Sequence, residues 1–204
     1  AKQAAVEACV LLKNNNHFLP LNSKTSIAVI GSLATNTRYQ GSGSSQINPT
    51  RLDQPLDAIN NYIIDDGGSV DFAEGYTLAG GTSESLITIA SDVAEKADKI
   101  IIIAGLTPDY ESEGFDRSHL NLPPGQLELI RALKNHHHKT VLVLQNGAPV
   151  ILPDSTKIPS ILEAYLGGQA GASALADILF GTSNPSGKLA ETFPLALSDI
   201  PSQA

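Results

Sequence analysis

Three short runs of apolar residues constrain the fold of this chain more than any other feature. They lie at residues 26–31, 100–104 and 140–144, and a shorter run follows at 160–164. Apolar residues fill these runs without alternating with polar ones, which is typical of strands covered on both faces. The runs therefore predict a mostly parallel sheet that is buried between layers of helices.

Helical patterns alternate with these runs along the chain. Helices are predicted at residues 2–13, 53–64, 83–97, 124–133 and 171–180. Residues 69–73 alternate like a strand, and residues 188–193 are predicted to form a last strand. Because strands and helices alternate, we expect an α/β fold: a three-layer sandwich with a mostly parallel sheet of about six strands.

Composition and charge argue against several classes of protein. Hydrophobic residues make up 42% of the 204 residues, which supports a sizeable core. The net charge of -8 argues against a nucleic-acid partner, because phosphate binding needs clustered Lys and Arg. No apolar run is long enough to predict a membrane span. The single cysteine, Cys9, and the lack of a visible signal peptide favour a cytoplasmic location.

Several common sites are not predicted. Gly31 follows an apolar strand, but residues 32–36 contain no further glycine, which argues against a dinucleotide site. The histidines at 136–138 would point in different directions, and His119 stands alone, so we expect no metal. Cys9 lies on an apolar helix face and is interpreted as a core residue. No cofactor is expected.

Residues 110–117 form a loop in which three carboxylates and an arginine fall within eight residues. The loop follows the apolar run at 100–104, and open α/β sheets place their chemistry at the carboxyl ends of strands. A carboxyl that is buried, or that lies close to another carboxylate, has a raised pKa and can act as a general acid. Ion pairing that only shapes the loop explains these residues equally well. A second loop, 41–46, is interpreted as a surface turn or as the lining of a polar site.

Ordered pieces along almost the whole chain resemble a known family. They include Glu-Gly-Phe-Asp-Arg at 113–117, Asn-Gly-Ala-Pro-Val at 146–150 and Asn-Pro-Ser-Gly-Lys-Leu at 184–189. Other pieces lie at 8–14, 19–21, 27–31, 41–45, 122–126, 168–171, 179–181 and 192–194. Together they are similar to the second domain of a glycoside hydrolase family 3 enzyme of the β-glucosidase type.

The resemblance implies a division of labour between two domains. A preceding (β/α)8 barrel, absent from this sequence, would carry the nucleophilic aspartate. The α/β-sandwich domain would supply the general acid/base for retaining hydrolysis of terminal β-linked sugars. Glu113 matches that acid/base, with Glu111 as the fallback. The resemblance assigns substrate binding to Ser44, Ser45 and Phe115, and loop shaping to Asp116 and Arg117.

The expected domain covers residues 1–194, and residues 195–204 have the composition of a linker toward a possible following domain. The expected partners are a β-linked oligosaccharide or glycoside and the N-terminal barrel of the same polypeptide, with no nucleic acid and no membrane. Without the nucleophile, the isolated chain is expected to be inactive. The alternatives are a non-catalytic carbohydrate-binding or structural α/β domain and, less favoured, a nucleotide-binding domain.

Overall fold

The computed structural model describes residues 1–64, 66–152 and 157–200 of the chain. The strands are β1 (Val10–Asn14), β2 (Ser26–Ile30), β3 (Ser69–Ala73), β4 (Lys99–Gly105), β5 (Thr140–Gln145) and β6 (Ser160–Glu163). The helices are α1 (Lys2–Ala8), α2 (Pro55–Ile64), α3 (Glu84–Lys96), α4 (Pro124–Ala132) and α5 (Gly171–Leu179). The five predicted helices and most predicted strands are present, and the largest difference among the helices is at residues 9–13.

The six strands form one sheet in the order β1-β6-β5-β4-β2-β3. Every neighbouring pair is parallel except β1 and β6, which run antiparallel. Helix α5 packs against both α1 and α2 in one layer, and α3 and α4 contact each other in a second layer. The predicted α/β sandwich with a mostly parallel sheet is confirmed.

The core lies along the two central strands. Residues 100–103 on β4 and 141–144 on β5 have no solvent exposure. In the register of the sheet, Ile101 lies between Val29 and Val141. Each fully buried side chain of this size stabilises the fold by roughly 1.5–3 kcal/mol. The absence of alternation in these runs is thus explained by helices covering both faces of the sheet.

The predicted helix at 2–13 is wrong in its second half. Helix α1 ends at Ala8, Cys9 is extended, and Val10 begins β1. A short apolar run fits a helix or a strand, and its pairing partner decides between them. Here β1 supplies hydrogen bonds to β6, which would otherwise present an unpaired edge.

The predicted strand at 188–193 is also wrong, since these residues have no regular structure. The backbone N–H of Gly187 donates to the Cys9 carbonyl at 3.0 Å, at the start of β1. The place beside β6 is already taken by β1, so the segment has no free sheet edge there. The predicted linker begins with a short 3-10 helix, Leu197–Asp199, while Pro201 and Ser202 lie outside the described residues.

No helix in the described part of the chain combines the length and apolar character needed to cross a membrane.

Candidate functional site

The order of the strands creates a crevice at the carboxyl edge of the sheet. Strands β2 and β4 are neighbours, but β2 leads to β3 on one side and β4 leads to β5 on the other. The loops that follow β2 and β4 therefore diverge, and ligands of open α/β sheets bind at such a point. A cavity of about 490 Å³ lies between these two loops, with Leu33, Arg38, Gln40, Leu78 and Thr107 among its lining residues.

The acidic loop, residues 110–117, starts from a fixed point at the end of β4. The Gln126 side chain on α4 donates to the Gly105 carbonyl and accepts from the Gly105 N–H, both at 2.9 Å. A Cβ atom at Gly105 would lie 2.0 Å from the carbonyl oxygen of Gln145, so only glycine fits beside β5. These contacts end the strand and set the direction in which the loop leaves the sheet.

Glu111 lies at the base of the acidic loop and is held by two neighbouring loops. Its Oε2 accepts a hydrogen bond from the Gly147 N–H at 2.9 Å, in the loop after β5. The same oxygen lies 3.7 Å from Nη2 of Arg38, in the loop after β2, and the Glu111 side chain is 19% exposed. The Glu111 carboxylate therefore ties three loops together.

Arg38 completes this anchor from the other side. Its side chain is 6% exposed, and Nη2 donates to the Glu111 backbone carbonyl at 2.9 Å while Nη1 donates to Ser42 Oγ at 2.7 Å. Burial lowers the pKa of Arg38, and the Glu111 carboxylate opposes that change. A guanidinium stays protonated at any physiological pH, so its buried charge needs the Glu111 partner.

Glu113, at the tip of the same loop, has a different environment. Its carboxylate is exposed to solvent, and Oε2 accepts a hydrogen bond from the Ser44 backbone N–H at 2.6 Å. Gly43 has φ +91°, and a Cβ there would lie 2.5 Å from Oε2 of Glu113. Hydrogen bonding from the side chain and the backbone N–H of Ser44 holds the pKa of Glu113 below its usual value.

The structure thus brings two of the predicted site residues, Ser44 and Glu113, into contact across the crevice. Ser45 is exposed beside them, and Phe115 is 50% exposed. Arg117 is half-buried and donates from Nη2 to the Pro149 carbonyl at 2.9 Å. Asp116 is exposed and has no ion pair within the described ranges.

The sequence analysis missed a buried carboxyl behind the acidic loop. Glu163, at the end of β6, has no exposed surface. Its Oε1 accepts from the Tyr165 N–H at 2.8 Å, and Oε2 accepts from Nδ2 of Asn146 at 3.0 Å. Burial raises the pKa of Glu163 to about 8. One sequence signal could have identified it. Glu163 and Asn146 are polar residues at the carboxyl ends of apolar runs, and the acidic loop also follows such a run.

The other residues considered for chemistry lie elsewhere. Cys9 is buried, and burial raises the pKa of its thiol to about 12. The buried His137 ring contacts the Ile130 carbonyl at 2.8 Å, while His136 lies 3.5 Å from Glu95. Over residues 1–64, 66–152 and 157–200, no three His, Cys, Asp or Glu side chains are grouped as metal ligands.

Comparisons with known proteins agree with this architecture. The family model described as the glycosyl hydrolase family 3 C-terminal domain matches residues 9–204. The chain is 51% identical over 203 residues to thermostable beta-glucosidase B of Acetivibrio thermocellus, covering 99% of this chain and 27% of that protein. It is 40% identical over 213 residues to an exo-alpha-(1->6)-L-arabinopyranosidase of Bifidobacterium longum, covering 99% of this chain and 28% of that protein.

A solved structure shows the same fold. The family 3 beta-glucosidase of Bifidobacterium adolescentis superposes with a TM-score of 0.90 at 42% identity, over 98% of this chain and 29% of that one. The chain therefore spans less than a third of the length of each of these relatives. The match covers nearly every residue of the chain, and the chain belongs to glycosyl hydrolase family 3, as its C-terminal domain.

Proposed function

We propose that this chain supplies the general acid/base of a retaining β-glycosidase whose nucleophilic aspartate lies on a barrel domain of the same polypeptide. The proton donor and acceptor is Glu113. The observation that carries the proposal is the exposure of this carboxylate at the carboxyl edge of the sheet, where the loops after β2 and β4 diverge. An acid/base group must reach a substrate that lies outside this domain, and Glu113 faces solvent.

Glu111 is less suited to the same role. Its Oε2 already accepts from the Gly147 N–H and faces the buried Arg38 guanidinium, and both contacts favour the ionised form. A proton donor placed there would also have to break the contacts that hold three loops together. Glu113 accepts hydrogen bonds from Ser44 alone among the contacts named above, and its exposed carboxylate can still reach a substrate outside this domain.

In retaining hydrolysis Glu113 acts first as an acid and then as a base. It protonates the departing glycosidic oxygen in the first step, and in the second it removes a proton from the water that releases the sugar. The hydrogen bonds from Ser44 lower the pKa of Glu113, which suits the second task and opposes the first. Something outside this chain must therefore raise that pKa before the first step.

The charged nucleophile of the barrel can raise the pKa of Glu113 before the first step. Retaining enzymes hold their two carboxyl groups about 5–5.5 Å apart, and at that distance one negative charge raises the pKa of the other group. Once the nucleophile bonds to the sugar, the negative charge of the nucleophile disappears, and the pKa of Glu113 returns toward the low value that Ser44 maintains. The hydrogen bonds from Ser44 then favour the ionised form of Glu113, which is the form that acts as a base.

The proposed substrates are terminal β-linked sugars, as the name of the Acetivibrio thermocellus relative indicates for that protein. A relative of 40% identity over this domain is named for an L-arabinopyranoside instead. Two differently named activities on similar domains support the idea that the barrel selects the sugar and that this domain contributes the proton transfer.

The test uses the full-length parent enzyme. General acid–base groups typically contribute about 10²–10⁴-fold to the rate. Glu113→Ala should therefore lower kcat/KM on cellobiose, a poor leaving group, by about that factor. An activated aryl β-glucoside should lose much less, and azide should restore its turnover, because the anion needs no base.

The matched control is Glu111→Ala, measured on the same two substrates. Equal losses on cellobiose and the aryl glucoside without azide rescue are expected for Glu111, because the defect is structural. If Glu111→Ala shows the selective loss and rescue while Glu113→Ala does not, the role belongs to Glu111. If neither variant discriminates between the substrates, the domain has a binding or structural role. The isolated 204-residue chain should hydrolyse neither substrate.

A further inference from the structure

Behind the acidic loop, the buried Glu163 carboxyl joins two strands at the carboxyl edge of the sheet. It has no exposed surface and stands at the end of β6, next to β5. Both of its oxygens accept hydrogen bonds, from the Tyr165 N–H at 2.8 Å and from Nδ2 of Asn146 at 3.0 Å. Because burying a carboxyl is costly, a role beyond filling space is expected for it.

Asn146 connects Glu163 to the turn that contacts the acidic loop. Its Nδ2 also donates to the Ala148 carbonyl at 3.0 Å, so both amide hydrogens are used and the turn after β5 is held from inside. Between these two residues lies Gly147, whose N–H donates to Glu111 at 2.9 Å. The direction of that N–H therefore depends on the turn that Asn146 holds.

We propose that Glu163 is a positioning residue for the acidic loop: it holds Asn146, and through Asn146 the Gly147 N–H that anchors Glu111. Glu113, two residues further on, is then presented from a fixed base. The inference rests on the proposed acid/base role of Glu113 and extends it to a residue that does not reach the substrate.

The charge state of Glu163 makes this role dependent on pH. The pKa of Glu163 is raised to about 8, with burial as the largest cause. Hydrogen bonds from the Tyr165 N–H and Asn146 oppose this rise, and the Glu111 carboxylate adds to it. The titratable groups facing it are Glu111 from the loop after β4, Cys9 from the end of α1 and Tyr165 after β6. The pKa values of Cys9 and Tyr165 are raised by burial first and by Glu163 second.

Near neutral pH Glu163 is therefore protonated and uncharged. As pH rises through about 8 it ionises, and a second negative charge then appears near the Glu111 carboxylate, on a side chain with no exposed surface. The two carboxylates repel each other, which weakens the hold of Gly147 on Glu111. The acidic loop should lose its fixed base as pH rises through this value.

The experiment measures kcat/KM on cellobiose against pH, from about pH 5 to 9.5, for the full-length parent and Glu163→Gln. Glutamine keeps the size of the side chain and cannot ionise. Its amide oxygen can still accept from Nδ2 of Asn146, while its NH2 group replaces the oxygen that accepts from the Tyr165 N–H, so that second contact is lost. We expect the alkaline fall in activity to move up by at least about half a pH unit, with less than about a threefold change near pH 6. Asp177→Asn, which alters a buried carboxylate bound to Lys2 on the helical layer, should leave the alkaline fall in place.

A double-mutant cycle distinguishes positioning from general stability. In a Glu113→Ala background assayed on the aryl glucoside with azide, Glu163→Gln should change neither rate nor pH profile, because the group it positions is gone. If Glu163→Gln does not fold, Asn146→Ala removes the same contact from its other end and should lower cellobiose turnover selectively. That loss should also vanish in the Glu113→Ala background.

The outcomes separate the two proposals. The positioning role would be overturned if Glu163→Gln left the alkaline fall in kcat/KM at the same pH. It would also be overturned if Glu163→Gln changed the rate or the pH profile equally in the Glu113→Ala background. Either result would leave Glu113 as the proposed acid/base. A Glu113→Ala variant with full cellobiose turnover would overturn the proposed function itself. Movement of the alkaline fall that depends on Glu113 supports both.

Discussion

The base and the tip of the acidic loop differ sharply, although a glutamate stands in each and only one residue separates them. At the base, Glu111 is 19% exposed and contacts Arg38 and Gly147 from two other loops. At the tip, Glu113 is exposed and is held through hydrogen bonds from Ser44. Two residues of the same type thus differ in role. Glu111 anchors the loop because it is paired with Arg38, and Glu113 remains available for chemistry because it is exposed.

The difference follows from the cost of burying charge. Arg38 is buried and always charged, so it requires an acceptor close by, and Glu111 provides both a carboxylate and a backbone carbonyl. No such demand exists at the tip, where water solvates the Glu113 carboxylate. Three experiments, from the largest expected effect to the smallest, test this contrast.

Removing the buried charge at the base should have the largest effect. Arg38→Ala leaves Ser42 Oγ and the Glu111 carbonyl without their donor, and we expect the free energy of unfolding to fall by about 2–4 kcal/mol. Urea unfolding of the 204-residue chain, followed by circular dichroism, measures this loss. The control is Arg51→Ala, whose side chain is 84% exposed and should cost less than about 0.5 kcal/mol. Equal losses in the two variants would contradict the anchor.

Neutralising each glutamate in turn compares base and tip directly. Glu111→Gln keeps an acceptor for Gly147 but removes the charge that faces Arg38, so a loss of about 1–2 kcal/mol is expected. Glu113→Gln should lower the unfolding midpoint less than Glu111→Gln does, because the amide oxygen can still accept from the Ser44 N–H and the side chain is exposed. The same urea experiment applies to both. A destabilised Glu113→Gln with an unaffected Glu111→Gln would reverse the assignment of base and tip.

The smallest effect concerns the pKa of Glu113. In Gly43→Ala the new methyl group would overlap the Glu113 carboxylate and break its contact with Ser44. Because those hydrogen bonds lower the pKa of Glu113, it should rise toward the ordinary glutamate value. A carbon-13 NMR titration of labelled glutamate measures this, with the resonance assigned through Glu113→Gln.

Gly114→Ala is the matched control for that titration. Gly114 has φ +94°, close to the +91° of Gly43, but a Cβ at Gly114 would meet no atom within 4 Å. Both variants carry the same kind of backbone strain, and only Gly43→Ala displaces the carboxylate. A pKa that rises equally in both would show that loop strain, rather than the Ser44 contact, sets the value.

Much of the fold could be predicted from the sequence because its signals are local. The apolar runs at 100–104 and 140–144 predicted strands covered on both faces, and the pattern at 83–97 predicted the helix that the structure shows as α3. The segments at 9–14 and 188–193 were mispredicted because an apolar run does not show which distant segment it pairs with. Pairing with β6 made residues 10–14 a strand, and residues 188–193 have no regular structure.

For the site, the sequence by itself determined the loop and its residue types. It placed Glu111 and Glu113 after a buried strand, and the ordered motifs identified the family, which the family match confirmed. Only the tertiary structure decided which glutamate is anchored, because Arg38, Ser44 and Gly147 come from loops far away in the chain. It also decided that Glu163 is buried and that its pKa is raised, since desolvation depends on packing around the side chain and not on its neighbours in sequence.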